Sequence, residues 1–89
     1  MTEFQLDGKF QQISIDPTAH VELGQDVTLR SFVCLEVGNG ATLKLGNRVF
    51  FNINCSIHCG YHIEIGKDTM FGDGVRIFDH NHQYSNYHV

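Results

Sequence analysis

The side chains best equipped for chemistry crowd the end of the chain. Residues 78 to 89, "FDHNHQYSNYHV", hold three histidines, one aspartate, two asparagines and two tyrosines. Imidazole titrates near neutrality, so His80, with the Asp79 carboxylate beside it to orient the ring or raise its pKa, suits a general base acting on a hydroxyl nucleophile. An alternative is a metal site. Residues i and i+2 on a strand share a face, so His80 and His82, with His88 and with His58 or His62 from earlier in the chain, form a candidate Zn²⁺ ligand set. A third reading is a solvated tail whose histidines take no part in chemistry. Thiol chemistry is the weakest candidate, because Cys55 and Cys59 fall among apolar positions and Cys34 has no basic neighbour to activate a thiolate.

These residues need a scaffold, and the chain writes one as a repeat. "VELGQDV" from Val21, "LKLGNRV" from Leu43 and "IEIGKDT" from Ile63 nearly superimpose, at intervals of 22 and 20 residues. Within each unit apolar residues recur in steps of six, as in Leu23, Leu29, Leu35, then Leu45, Phe51, Ile57, then Ile65, Phe71, Ile77. From Ile13 to Ile77 the large aliphatic residues keep to odd numbers, a period of two that strands have and helices lack. Steps and insertions are both even, so the inward face survives each corner. Glycines such as Gly24, Gly46, Gly66, Gly72 and Gly74 are expected to supply the unusual φ values of the turns. The pattern predicts an all-β triangular solenoid of about three coils, with apolar columns stacked inside. Residues 1–14 read as a lead-in and 15–89 as a partial β-helix domain ending in the histidine-bearing loop at 78–89.

Even-numbered positions should face outward, and all six histidines are even. So are Phe32, Phe50, Met70 and Phe78. Phe50 and Met70 stand one coil apart, which implies a covered column, either a subunit interface or a ligand groove. The formal charge is −4 with six scattered Lys plus Arg, so the footprint of a nucleic-acid or anionic-membrane binder is missing. The first ten residues lack the basic and apolar stretches of a signal peptide, and cytoplasmic location is the expectation. Cys34, Cys55 and Cys59 are odd in number and read as free thiols rather than a disulfide framework.

The steps "LGNRVF", "FNINCS", "IGKDTM" and "FGDGVR" resemble those of hexapeptide-repeat transferases over roughly residues 15 to 82. That resemblance implies a left-handed parallel β-helix. The longer stretch "LGNRVFFNINCSIHCGYHIEIGKDTMFGDGVRIFDHNHQY" is similar to the active-site half of galactoside, maltose and capsular-polysaccharide O-acetyltransferases. The similarity implies transfer of an acetyl group from acetyl-CoA, as co-substrate, to a sugar or related hydroxyl, with no metal required. Carried over, His80 matches the catalytic histidine. Asn52 matches an asparagine that lines the acceptor and thioester site from the adjacent subunit, Asn54 a supporting one, and Asp79 and His82 are secondary. Homotrimers are implied, with Phe50 and Met70 at the contact.

Two departures stand out. The acidic residue that several relatives carry after the asparagine step falls near Gly60, so an acceptor contact is either lost or supplied by His58 or His62. Relatives also continue for several coils that form much of the coenzyme A groove. That groove is therefore expected mostly beyond Val89, and the chain reads as C-terminally truncated. A non-catalytic trimeric β-helix module lacking the groove is the alternative. A hexapeptide-repeat carbonic anhydrase would pair histidines four residues apart in between, whereas His58 and His62 enclose three residues and His82 and His88 enclose five.

Overall fold

Strict alternation gives strands, and the computed structural model, which describes residues 3–79, contains no helix among them. Its strands are β1 (Gln5–Leu6), β2 (Gln12–Ile15), β3 (His20–Leu23), β4 (Thr28–Leu29), β5 (Cys34–Val37), β6 (Thr42–Leu45), β7 (Phe50–Phe51), β8 (Ser56–Cys59), β9 (His62–Ile65), β10 (Met70–Phe71) and β11 (Arg76–Phe78). They stack as three parallel sheets, which we call faces A (β1-β4-β7-β10), B (β2-β5-β8-β11) and C (β3-β6-β9). The chain visits A, B and C in turn, so each circuit lays one strand on each face. The result is a parallel β-solenoid of about three turns, consistent with a left-handed β-helix. Since no helix occurs among the described residues, none there is long and apolar enough to cross a membrane.

Register follows the repeat. Leu35 stacks on Ile57 and Ile57 under Ile77 on face B, while Leu43 stacks on Ile63 on face C. Inside, Leu29, Leu35, Leu43, Phe51 and Ile57 are wholly buried, and the Phe51 and Phe71 rings stack with centroids 4.9 Å apart. Burial fades toward the ends of the column. Ile13 and Ile15, inward by parity, are 39% and 41% exposed, because each has a coil on one side only.

The residues expected to be a lead-in belong to the solenoid. Gln5 and Leu6 pair with Thr28 and Leu29, and Gln12 through Ile15 pair with Cys34 through Val37. Parity hides the first of these strands, because five residues separate Leu6 from Gln12 where four separate Leu29 from Cys34. The extra residue puts Phe4, an even number, against the core.

The corners also differ from expectation. Positive φ falls not on Gly24, Gly46, Gly66 or Gly72 but on Asp26, Arg48 and Asp68 at one corner, and on Phe10, Phe32, Asn54 and Gly74 at another. Gly24 and Gly46 are required for a different reason. A Cβ on Gly46 would sit 2.6 Å from the Lys67 nitrogen and 3.0 Å from the Gly66 carbonyl carbon, both main-chain atoms. The coils approach too closely there for any side chain.

Candidate functional site

β11 ends face B at Phe78, and Asp79 follows in the position that Cys59 holds one coil earlier. The Asp79 carboxylate turns under the corner between faces B and C. It accepts the N–H of Gly60 at 2.6 Å, of Tyr61 at 2.9 Å and of His62 at 2.6 Å. Three successive amides converging on one carboxylate form an anion nest. This corner is short: two residues, Gly60 and Tyr61, separate β8 from β9, where four separate β5 from β6. Partial burial alone would raise the Asp79 pKa, but the N–H groups of Gly60, Tyr61 and His62 outweigh it and hold the acid below its ordinary value. Among the described residues, the partners of Asp79 are these three main-chain amides and, at 4.0 Å, the Cys59 thiol; the His80 imidazole it was expected to orient lies outside them.

His80, His82 and His88 lie outside the described residues. Asp79, the residue before His80 in the chain, is anchored at the corner at Gly60.

Asn52 and Asn54 sit elsewhere, at the corner between faces A and B. Asn52 Oδ1 accepts from Arg30 Nη1 at 3.1 Å and from the Ile53 N–H at 2.8 Å. Arg30 in turn lies 3.2 Å from Asp7 through Nε, a charge contact off the line of a hydrogen bond, so three coils are joined by Asp7, Arg30 and Asn52. Asn54 has φ of 66°, a conformation that asparagine tolerates better than most residues. Both asparagines thus have structural work at the corner. In register Asn52 stands over position 72, and the chain from there to Asp79 turns the corner at Gly74 and then crosses face B along β11. One chain therefore holds Asn52 and Asp79 at opposite margins of the same face.

The remaining candidates fall on outer surfaces. His20 and His62 are exposed on face C, each beside the glutamate two residues on, at 2.7 Å from Glu22 and 3.0 Å from Glu64. His58 is half-buried on face B, with Nδ1 3.0 Å from Glu36 and its ring stacked on Phe78. No group of three or more His, Cys, Asp or Glu among the described residues is placed to hold a metal ion. Cys55 and Cys59 are buried, and burial, then the nearby Asp79 charge, push the Cys59 thiol up, away from a reactive thiolate. On face A, Phe50 and Met70 are neighbours in register and point outward, with Met70 73% exposed.

One feature escaped the sequence reading. Face B carries a groove of about 340 Å³ beside the Asp79 corner, lined by Ser14, Asp16, Glu36, Gly38, His58 and Gly60 together with parts of Val37 and Cys59. Its signal was present in the repeat, because Ser14, Glu36 and His58 follow one another at intervals of 22, as do Asp16, Gly38 and Gly60.

Fold and site together define a three-faced parallel β-solenoid with an anchored carboxylate and a polar groove on one face. Comparison of the chain with family models, with curated proteins and with solved structures finds no match.

Proposed function

We propose that the chain is the active-site portion of a hexapeptide-repeat O-acetyltransferase that moves an acetyl group from acetyl-CoA to the hydroxyl of a sugar or related acceptor. The observation that supports this reading is the anchorage of Asp79, the residue that precedes His80 in the sequence, on the Gly60, Tyr61 and His62 amides beside a polar groove. His80 takes the proton of the acceptor hydroxyl as its oxygen attacks the thioester carbonyl. The tetrahedral intermediate then collapses, the coenzyme A thiolate leaves, and the proton held on His80 passes to it. Asn52 of a neighbouring protomer serves the acceptor and thioester. Its distance from Asp79 within one chain fits a site completed between protomers, and the outward Phe50 and Met70 column is the contact we assign to a homotrimer.

The test is calorimetric titration of acetyl-CoA into the full chain, paired with a thiol-release assay over a panel of hydroxyl acceptors. Saturable binding with turnover that falls at least a hundredfold in His80→Ala is the expected result, in line with the ~10²–10⁴ that general-base catalysis contributes. Turnover unchanged in His80→Ala refutes the reading, and a folded sample that binds no acetyl-CoA supports the alternative of a non-catalytic β-helix module that lacks the coenzyme A groove.

A further inference from the structure

We infer that the face B groove along Ser14, Asp16, Glu36, Gly38, His58 and Gly60 is the acceptor subsite, and that it takes a neutral or amine-bearing polyhydroxyl ring and rejects an anionic one. This rests on the acetyltransferase reading for the word acceptor, but the binding preference stands on the groove itself.

Place comes first. The groove ends at Cys59 and Gly60, and Gly60 donates to Asp79, the residue joined directly to His80. A ring lying in the groove is therefore beside the corner that holds Asp79, the residue that precedes His80 in the sequence. Size fits as well, since about 340 Å³ lies at the lower end of small-molecule sites.

The floor is bare without structural need. Gly38 has no positive φ, and a Cβ built there would meet only the Cys59 carbonyl oxygen, at an ordinary 3.7 Å. The contrast is Gly46, whose Cβ would meet main-chain atoms at 2.6 Å. Neither backbone conformation nor packing explains a glycine at position 38. Its missing side chain does keep the groove open to a ring lying against the strand.

Chemistry sets the class. Glu36 and Asp16 bring two carboxylates to the lining, and no lysine or arginine lines it. Glu36 is held by His58 at 3.0 Å, and Asp16 by the Thr18 N–H at 2.9 Å and hydroxyl at 2.6 Å. Each carboxylate has lone pairs beyond these contacts, since an ionised carboxylate offers about four acceptor sites. Hydroxyl donors and an ammonium group satisfy such a lining, whereas a ligand carboxylate or phosphate faces two like charges.

The experiment is titration of the full chain, followed by ¹H–¹⁵N spectra, with three probes that share a ring: glucosamine, methyl glucoside and glucuronate. Gly38, His58 and Gly60 amides are expected to shift with the first two, with glucosamine the tighter by roughly threefold to tenfold, as one half-exposed charge-assisted contact allows. Glucuronate should leave them unmoved. Glu36→Gln should abolish the preference for the amine. Gly38→Ala and Gly38→Val should keep the dispersed spectrum of the fold and weaken both ligands at least roughly tenfold, a loss of about 1.4 kcal/mol. No shifts at these amides with any probe, equal binding of glucuronate, or shifts that persist in folded Gly38→Val would overturn the inference. Failure of the acetyltransferase reading shows separately, as turnover independent of His80, because these titrations contain no coenzyme.

Discussion

Replacing Asp79 by alanine tests the anchorage on which the site depends. The substitution strips the acceptor from three N–H groups held at 2.6 to 2.9 Å. Hydrogen bonds to a charged group contribute about 1.5–3 kcal/mol each when desolvated, but they are not additive on one carboxylate. Tyr61 and His62 are exposed, so water can replace the lost partner there, while Gly60 is half-buried and retains most of the penalty. The expected loss for Asp79→Ala is therefore about 2–3 kcal/mol, or roughly 10–20 °C in Tm for a domain of this size. Asp79→Asn keeps a neutral carbonyl acceptor and should lose about half as much. Protonation removes the same charge. Because the folded pKa lies below the ordinary value, the contribution is complete above the unfolded pKa of about 3.9 and is lost as pH falls through the lower folded pKa. Equilibrium denaturation followed by circular dichroism from neutral pH into acid measures both effects, and hydrogen exchange at residues 60–62 localises them. Asp79→Ala within about 0.5 kcal/mol of the parent, the range of an ordinary surface change, would refute the anchorage.

Four further outcomes are expected. Gly46→Ala should destabilise by about 1–3 kcal/mol through overpacking against Lys67 and Gly66, whereas Gly66→Ala, whose Cβ meets nothing within 4 Å, should be neutral or slightly stabilising in the same melts. Phe51→Ala removes a wholly buried ring stacked on Phe71 and should cost about 3–5 kcal/mol, enough to leave much of the chain unfolded by circular dichroism at room temperature. Arg48→Ala breaks the paired contact with Asp68 at an exposed corner; its small effect on Tm should vanish in about 1 M salt, where such charges are screened. Met70→Glu should leave the melting of a single protomer unchanged and abolish association in sedimentation equilibrium; a trimer that survives it would move the contact away from face A.

Much of the architecture was legible because a solenoid is almost one-dimensional. Each coil touches only the coils beside it, so register is a difference between residue numbers, and 22 and 20 can be read off Gly24, Gly46 and Gly66. The alternation likewise marked Leu29, Leu43 and Ile57 as core and the histidines described on faces B and C as outward. Where local chemistry had to be inferred from residue type, the reading slipped. Glycine at positions 24 and 46 suggests backbone freedom, but what excludes a side chain there is the distance to the next coil, which no single coil reveals. The strand at Gln5–Leu6 is not legible in the alternation because one extra residue at a corner reverses its parity.

By itself, then, the sequence determined the period, the inward face and the all-β class, since each follows from the spacing of apolar residues along one strand. Only the tertiary structure decided what Asp79 binds and what surrounds Gly38. Those partners come from coils 17 to 22 residues away, and contact across coils depends on how each corner turns. Corner geometry is set by close packing, by main-chain hydrogen bonds and by a φ angle that here falls on aspartate, arginine and phenylalanine as readily as on glycine.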